Sequence, residues 1–155
     1  MTSEIVISNA SPLIALEQIG QLHLLEQLFH SVVVPPAVVR EVSASVTLPV
    51  WMTEQALSQA VGPRILSTSL GAGESEAISL ALEVQARLLI LDDRPARRLA
   101  QALGLSIIGT LGVLVAAKQR NFLTTICPSL DALLQYDFRI SSTLYDQILL
   151  DVGER

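Results

Sequence analysis

The fold is decided by residues 70–109, which read LGAGESEAISLALEVQARLLILDDRPARRLAQALGLSIIG. Residues 74–84 repeat apolar side chains at helical spacing, and residues 87–91 form a short apolar run that ends at Asp92 and Asp93. Residues 94–103 are predicted to form a second helix, stopped by Gly104, and residues 105–108 a second strand. A helix between two consecutive strands implies a right-handed crossover and a parallel sheet. The stretch therefore predicts an α/β protein.

The flanking sequence continues this alternation of short strands and helices. Strands are predicted over residues 5–8 and 32–34. Ser11 followed by Pro12 is typical of a helix start, with the Ser11 hydroxyl as the predicted cap. Further helices are predicted over residues 22–29, 35–42, 49–60, 110–119, 129–136 and 142–152, with a turn at residues 62–63. No repeat or linker divides the chain, so residues 1–155 are predicted to form one domain. The helices from about residue 129 are expected to cover the sheet edge or to pack against a second subunit.

Composition restricts the class of protein. Half of the 155 residues are apolar, which is sufficient for a well-filled core. No apolar run reaches the roughly 18 residues of a membrane span, and the N-terminal MTSEIVIS has no secretory pattern, so a cytoplasmic protein is expected. The single Cys127 cannot form an internal disulfide and is expected to be a small buried hydrophobe. His23 and His30 have no motif around them and are expected at the surface or in an interface.

The charge of the chain argues against a broad surface for nucleic acid. Ten Lys and Arg residues against fifteen Asp and Glu residues give a net charge of −5. A local cluster remains, because Arg94, Arg97 and Arg98 lie on the helix that follows the Asp pair. This cluster is either a phosphate-binding surface or a solvated helix face. Aromatic residues make up only 4%, and Trp51 is expected to anchor the core, so no base-stacking surface is predicted.

Polar side chains lie where a parallel sheet presents its ligands. Asp92 and Asp93 follow one predicted strand and Asn9 follows another, and sites in open α/β sheets form beyond the carboxyl ends of strands. Glu74 falls on the centre of the apolar face of its helix, and a carboxylate directed inward needs a partner such as a metal ion. The alternatives are that these acids cap helices and that Asn9 is a turn residue. Glu41, three residues after Val38, also leans toward the inner side of its helix.

Several other function classes lack their motifs. Neither GxGxxG nor GxxxxGK[ST] occurs, and no zinc spacing or Ser-His-Asp arrangement is present. A phosphoacceptor signalling domain would place its acid pair near the first strand, whereas this pair follows a late one. A pure interaction protein remains open, since all the acids could be helix caps.

Four motifs in order resemble the PIN-domain family, in particular its prokaryotic branch related to VapC-type toxin ribonucleases. They read IVISNASPLI, VVVPPAVVREV, GESEAISLAL and LLILDDRPARRLAQALGLSIIGTLGVL. The resemblance covers most of residues 4–120, and the closing helices are also similar. It implies a three-layer α/β/α sandwich around a mostly parallel sheet of about five strands. It also implies cleavage of RNA with Mg²⁺ or Mn²⁺, a homodimer, and inhibition by a small antitoxin protein.

The resemblance also assigns candidate site residues. The first acid of the family falls on Asn9, with Ser11 as the nearby hydroxyl, and the second falls on Glu41. The third falls on Glu74, with Glu76 as the competing register. The fourth falls on Asp92 or Asp93, with spacing in favour of Asp92. These acids are the candidate metal ligands, and Ser11 with the three arginines is the candidate nucleic-acid contact.

The residue types fit this chemistry. Converging carboxylates repel one another and raise their pKa values unless a hard, oxygen-seeking cation neutralises them. Such an ion activates water for attack on a phosphodiester, so no side-chain nucleophile is required. Asn9 departs from the family because an amide oxygen coordinates a metal but carries no charge. The sequence therefore predicts a weak or metal-hungry ribonuclease, with a catalytically impaired nucleic-acid-binding protein as its rival.

Overall fold

The computed structural model describes residues 4–155 and contains one five-stranded sheet. The strands are β1 (Val6–Ser8), β2 (Val32–Val34), β3 (Met52–Glu54), β4 (Leu88–Ile90) and β5 (Ile107–Ile108). Their order is β3-β2-β1-β4-β5, and each described pair is parallel. The predicted parallel sheet of about five strands is confirmed.

Helices connect and flank the strands in the described part of the chain. They are α1 (Ala10–Gln18), α2 (Leu24–Phe29), α3 (Pro36–Val42), α4 (Val61–Leu66), α5 (Ala72–Glu83), α6 (Arg94–Ala102), α7 (Thr110–Gln119), α8 (Cys127–Gln135) and α9 (Ser142–Asp151). Among these helices, α1 and α2 lead from β1 to β2, α4 and α5 lead from β3 to β4, and α6 leads from β4 to β5.

The alternation of side chains along each strand separates two cores. Val6 and Ile90 belong to the larger core, which also includes residues of α1, α2 and α7 to α9. Ile7 and Leu89, their neighbours in sequence, belong to the smaller core formed with α5 and α6. The sheet thus lies between two helical layers, which is the predicted three-layer α/β/α sandwich.

The strand order creates a switch point between β1 and β4. From β1 the chain moves outward through β2 to β3, and it then returns to the other side of β1 to add β4 and β5. Connections on the two sides of such a point lead away from each other and leave a crevice at the carboxyl edge of the sheet. The topology therefore places the residues that follow β1 and β4 at the mouth of a crevice.

The prediction of a helix over residues 49–60 is wrong. Residues 52–54 form the edge strand β3, paired with β2 in the register Val32↔Met52 and Val34↔Glu54. Only the first residue of β3 is buried. The apolar pattern of these three residues is therefore too short to indicate a strand rather than a helix. The predicted turn at residues 62–63 instead lies inside α4, where Pro63 is in the first turn and its missing N–H would have no helical partner.

Two further local predictions are corrected. Ser11 does not cap α1, because the helix begins at Ala10 and Asn9 occupies the N-cap position. Cys127 is only partly buried, since it is the first residue of α8, and its Sγ lies 3.3 Å from the Tyr145 hydroxyl. Trp51 packs against the larger core, as predicted.

The C-terminal helices bury one side against the rest of this chain. Ile126, Leu130 and Leu133 join the larger core from α8 and its start, and Ile148 and Leu149 join it from α9. The alternatives of a covered sheet edge or a dimer interface stay predictions, as does the single domain, whose first three residues lie outside the described part. Within residues 4–155, no helix combines the length and the apolar character needed to cross a bilayer.

Candidate metal and nucleic-acid site

The crevice at the switch point brings two predicted site positions together. Asn9 directly follows β1, and Asp92 follows Leu91 at the end of β4. The backbone N–H of Asn9 donates to the carbonyl oxygen of Ile90 over 3.0 Å, which continues the pairing of the two strands beyond their ends. The first and fourth positions of the predicted acid set are therefore neighbours at the same edge of the sheet.

Asn9 is buried with an unsatisfied side-chain oxygen. Its exposed fraction is 1%, and its Oδ1 accepts no hydrogen bond from any described residue. Although Asn9 occupies the N-cap position of α1, its side chain makes no capping bond. Leaving a buried acceptor unpaired costs about 1–3 kcal/mol. Binding of a cation or an ordered water to the Asn9 amide oxygen would remove this cost.

Asp92 is held by the N-terminus of α7. Its Oδ1 accepts from the Thr110 backbone N–H over 2.8 Å, and its Oδ2 accepts from the Thr110 hydroxyl over 2.6 Å. A Cβ at Gly109 would lie 2.8 Å from Asp92 Oδ1 and 2.8 Å from Arg97 Nη1, so the absence of a side chain there permits this arrangement. The helix dipole also favours the negative charge. Sequence reasoning missed Thr110 as the partner of Asp92, because their pairing joins two loops of the sheet edge.

Asp93 has the capping role that was the alternative for this acid pair. It occupies the N-cap of α6, and its Oδ2 accepts from the backbone N–H of Ala96 over 3.1 Å. The side chain remains exposed and lines the same cavity as Asp92. Asp93 therefore orients α6 and adds negative charge to the crevice.

Glu41 and Glu74 approach each other from α3 and α5. Glu41 Oε1 accepts from the Gly73 backbone N–H over 2.9 Å, and a Cβ at Gly73 would lie 2.6 to 2.9 Å from the Glu41 carboxylate atoms. Partial burial raises the pKa of Glu41, and the negative charge of Glu74 raises it further, while the Gly73 N–H and Arg40 lower it. Burial and the neighbouring carboxylate of Glu74 therefore both disfavour the negative charge of Glu41, and a cation close to the two acids would favour it.

Glu76 has a structural role that distinguishes it from Glu74. Its Oε1 accepts from the Ala37 backbone N–H over 3.0 Å, and its Oε2 lies 3.9 Å from Arg40 Nη2. These contacts tie α5 to the start of α3. Glu74 instead lines a cavity together with Asp92. Glu74, rather than Glu76, thus lines the cavity that contains Asp92, and the register of the third acid stays a prediction.

Helical spacing predicts that Leu82 shares the apolar face of α5 with Glu74 and that Ser75 and Ser79 lie on its polar face, which is only partly correct. Glu74 is half-buried, as its position on the apolar face suggested, but Ser75 and Ser79 are buried and Leu82 is 41% exposed. The reason is that α5 packs against α3 and α4 as well as against β1 and β4, so it has more than one buried side.

Two adjoining cavities open at the carboxyl edge of the sheet. The first, of about 570 Å³, has an acidic side formed by Glu74, Asp92 and Asp93. Its remaining lining residues are Ser11, Arg94, Pro95, Phe138 and Arg139. The second, of about 480 Å³, shares Asp92, Arg94, Phe138 and Arg139 with the first and is also lined by Arg97, Ile107, Ile108, Gly109, Leu111, Gly112 and Leu144. Acids and arginines thus face a common space.

The arginines of α6 divide into two groups. Arg94 and Arg97 line the cavities, and Arg97 Nη1 also donates to the Leu91 carbonyl over 2.8 Å. Arg98 is exposed and does not belong to the described residues that line either cavity. Phe138 and Arg139 were missed, because a low count of aromatic residues does not reveal where each one lies. The only local signal for them was an Asp-Phe-Arg segment between two predicted helices.

The residues of the crevice fit a water-rich divalent ion. The side chains of Glu74, Asp92 and Asp93 offer a metal only oxygen ligands, which suits Mg²⁺ or Mn²⁺. Within residues 4–155, no group of three or more His, Cys, Asp or Glu side chains is arranged to enclose a metal. Mg²⁺ commonly takes one or two carboxylates and retains its waters, so Glu74 and Asp92, which line one cavity, suit this mode of binding. The buried, unpaired oxygen of Asn9 belongs to the residue that follows β1 at the same edge of the sheet.

Comparison with known families agrees with this architecture. A family model described as a PIN domain (DUF3368) matches residues 5–154. The chain belongs to the PIN-domain family. Comparisons with curated proteins and with solved structures gave no match. PIN domains are associated with nuclease activity, nucleic-acid binding and divalent metal ions. The narrower relationship of this PIN domain to VapC-type toxins stays a prediction.

Proposed function

We propose that this PIN domain is a divalent-metal-dependent ribonuclease that hydrolyses RNA phosphodiesters with Mg²⁺ or Mn²⁺, in the manner of a toxin-like endoribonuclease. The observation that carries the proposal is that Glu74 and Asp92, from separate elements, line one cavity together with Arg94 of α6. Acids that bind a cation beside arginines that bind a phosphate are what metal-assisted phosphodiester hydrolysis requires.

Each residue of the crevice has a distinct role in this proposal. Glu74 and Asp92 would hold the ion, and Asn9 Oδ1 would contribute a neutral oxygen. Thr110 orients the Asp92 carboxylate through its two hydrogen bonds. Glu41 would act through its neighbour Glu74, because burial and the negative charge of Glu74 raise the pKa of Glu41, and a cation held by Glu74 would favour the charged form of Glu41.

The substrate would be bound mainly by the arginine side of the cavities. Arg94 and Arg97 lie on α6, next to Asp92, and their guanidinium groups suit phosphate oxygens. The bound ion would supply an activated water and neutralise charge on the phosphate. The role of the chain is therefore to position phosphate and cation together, and no side chain of the crevice needs to act as a nucleophile.

A cleavage assay tests this proposal. End-labelled RNA of mixed sequence is incubated with Mn²⁺ and the wild-type protein, Glu74→Gln or Asp92→Asn, and with Glu54→Gln on the exposed edge strand as matched control. Each site variant should lose more than about 100-fold in rate, since even outer contacts to metal sites are worth about 10–100-fold. Equal rates in all four proteins would exclude the crevice as the active site.

The second candidate function is a catalytically impaired nucleic-acid-binding protein. It is favoured by Asn9, which supplies no charge, and by Asp92, whose two oxygens already accept hydrogen bonds from Thr110. Asn9→Asp distinguishes the candidates in the same assay. Faster Mn²⁺-dependent cleavage by Asn9→Asp supports the nuclease, whereas RNA binding without cleavage by either form supports the impaired binder.

We also infer a homodimer and a small antitoxin protein as partners in the cytoplasm. The support is a set of apolar side chains on the C-terminal helices that the chain leaves exposed, with Leu134 and Leu144 43% and Leu150 58% exposed. Light scattering after size-exclusion chromatography of wild type and Leu150→Glu tests the dimer. A wild-type monomer at micromolar concentration would contradict it.

A further inference from the structure

The loop between α8 and α9 contributes two side chains to the walls of the crevice. Phe138 and Arg139 line both cavities, together with Asp92 and Arg94. They come from a part of the chain remote in sequence from the acids. Neither residue belongs to the acid set on which the proposed hydrolysis depends.

The backbone holds this loop in a defined conformation. Asp137 has a φ of 62° and follows the last residues of α8. The Phe138 N–H donates to the Leu133 carbonyl over 3.1 Å, and the Asp137 N–H donates to the Leu134 carbonyl over 3.2 Å. This pair of bonds is a Schellman-type helix ending. The position of Phe138 is therefore set by the helix before a ligand arrives.

The two side chains offer complementary chemistry. Phe138 is half-buried and packs on the larger core, so its ring is supported from behind where it forms part of the cavity wall. Arg139 is exposed, and among residues 4–155 no acid forms an ion pair with it. An aromatic ring stacks on a nucleobase and an unpaired guanidinium binds a phosphate.

The second cavity has the composition of a nucleotide subsite. It combines arginines with apolar wall residues such as Ile108 and Leu111, and its volume of about 480 Å³ lies within the range of small-ligand pockets, about 300–1,000 Å³. It adjoins the acidic cavity and shares Asp92 with it. A nucleotide bound there would lie directly beside the phosphate at the acids.

We propose that Phe138 and Arg139 form a subsite that stacks one unpaired base and binds its phosphate, next to the phosphodiester to be cleaved. This proposal rests on the proposed function, since it takes RNA as the ligand. A base within a duplex has both faces covered by its neighbours, so only an unpaired nucleotide can present a free face to Phe138. The subsite thus selects single-stranded RNA or a loop.

Binding in the absence of divalent ions tests the subsite separately from cleavage. The protein is titrated in EDTA into a fluorescent single-stranded RNA of about 12 nucleotides, and separately into the same sequence as a duplex. This length is about three times the smallest site size of a single-strand-binding fold. Phe138→Leu and Arg139→Gln are compared with two matched controls. Tyr136→Leu removes a nearby exposed aromatic ring, and Arg87→Gln removes an exposed arginine at the opposite end of β4.

Phe138→Leu should weaken single-strand binding about tenfold, in line with the loss of one stacked base. Arg139→Gln should lower the slope of log affinity against log salt by about 0.7, the value for one phosphate contact on a single strand. The duplex should bind wild type more weakly than the single strand. Circular dichroism melting excludes misfolding, and the exposed Arg139 provides a variant that does not alter the core.

Affinities for the single strand equal to those of the controls in both variants would overturn the subsite, as would an equal loss of single-strand and duplex binding. These results are distinguishable from failure of the proposed nuclease. Cleavage with Mn²⁺ by a protein insensitive to both substitutions would retain the nuclease and reject the subsite. Binding that depends on Phe138 without cleavage under Mn²⁺ would retain the subsite and reject the nuclease.

Discussion

Substitution of Asn9 by Asp should make the stability of the protein depend on divalent ions. Asn9 is 1% exposed and its Oδ1 is unpaired, so the added charge would be buried without compensation in EDTA. An uncompensated buried charge costs about 3–5 kcal/mol. At about 2–4 °C per kcal/mol for a domain of this size, the melting midpoint should fall by about 6–20 °C.

Mn²⁺ should reverse much of this loss. At 100 times its dissociation constant, a ligand that binds only the folded state adds about 2.7 kcal/mol, equivalent to a rise in midpoint of about 5–11 °C. Wild type should gain less, because its amide is neutral and binds the ion more weakly. Asn9→Ala, which removes the oxygen without adding charge, should gain least.

The measurement is thermal melting followed by circular dichroism, in EDTA and across a Mn²⁺ titration, for wild type, Asn9→Asp and Asn9→Ala. The order of the Mn²⁺-dependent shifts is the decisive result. If all three proteins shift equally, the ion binds elsewhere and the reasoning about this crevice is refuted.

Three further predictions follow from the contacts of the site and of the C-terminus. Glu74→Gln should abolish the Mn²⁺-dependent rise in melting midpoint with little change in stability in EDTA. By contrast, Glu76→Ala should retain this rise and should lower the free energy of unfolding, measured in urea, by about 1–3 kcal/mol. The reverse pattern would contradict the Glu74 register. Gly109→Ala should slow RNA cleavage at least about tenfold, because the new Cβ would lie 2.8 Å from Asp92 Oδ1, and an unchanged rate would contradict this close approach. Glu154→Gln should destabilise the protein more at pH 7 than at pH 3 in urea titrations.

The pH dependence of the last prediction follows from the environment of Glu154. Burial raises the pKa of its carboxyl, but hydrogen bonds from the Ile126 N–H, from Lys118 and from the Cys127 N–H together lower it below the ordinary value. A carboxyl with a lowered pKa stabilises the fold above its unfolded pKa of about 4.5, and this contribution disappears as the pH falls through the lowered value. An equal loss at both pH values would contradict the role of the charge.

Local pattern was sufficient for elements whose signals lie within a few residues. The apolar run before Asp92 and the Gly104 stop predicted β4, α6 and β5 to within one or two residues. The position of Asn9 and Asp92 after parallel strands also predicted a common sheet edge, because the carboxyl ends of parallel strands meet on one side. The prediction failed for residues 49–66, because β3 is stabilised by its pairing with β2 and its own sequence carries no clear strand pattern.

By itself, the sequence determined the α/β class and the parallel sheet, because hydrophobic periodicity is a local property of a chain. The resemblance of its motifs to PIN domains then assigned the set of candidate acids. Only the tertiary structure decided what each acid contacts. In the folded chain Asp92 accepts hydrogen bonds from Thr110, and Glu76 accepts one from the start of α3. Phe138 and Arg139 line the same cavity as the acids. The physical reason is that these contacts join segments far apart in sequence, and their distances depend on how whole layers of the sandwich pack.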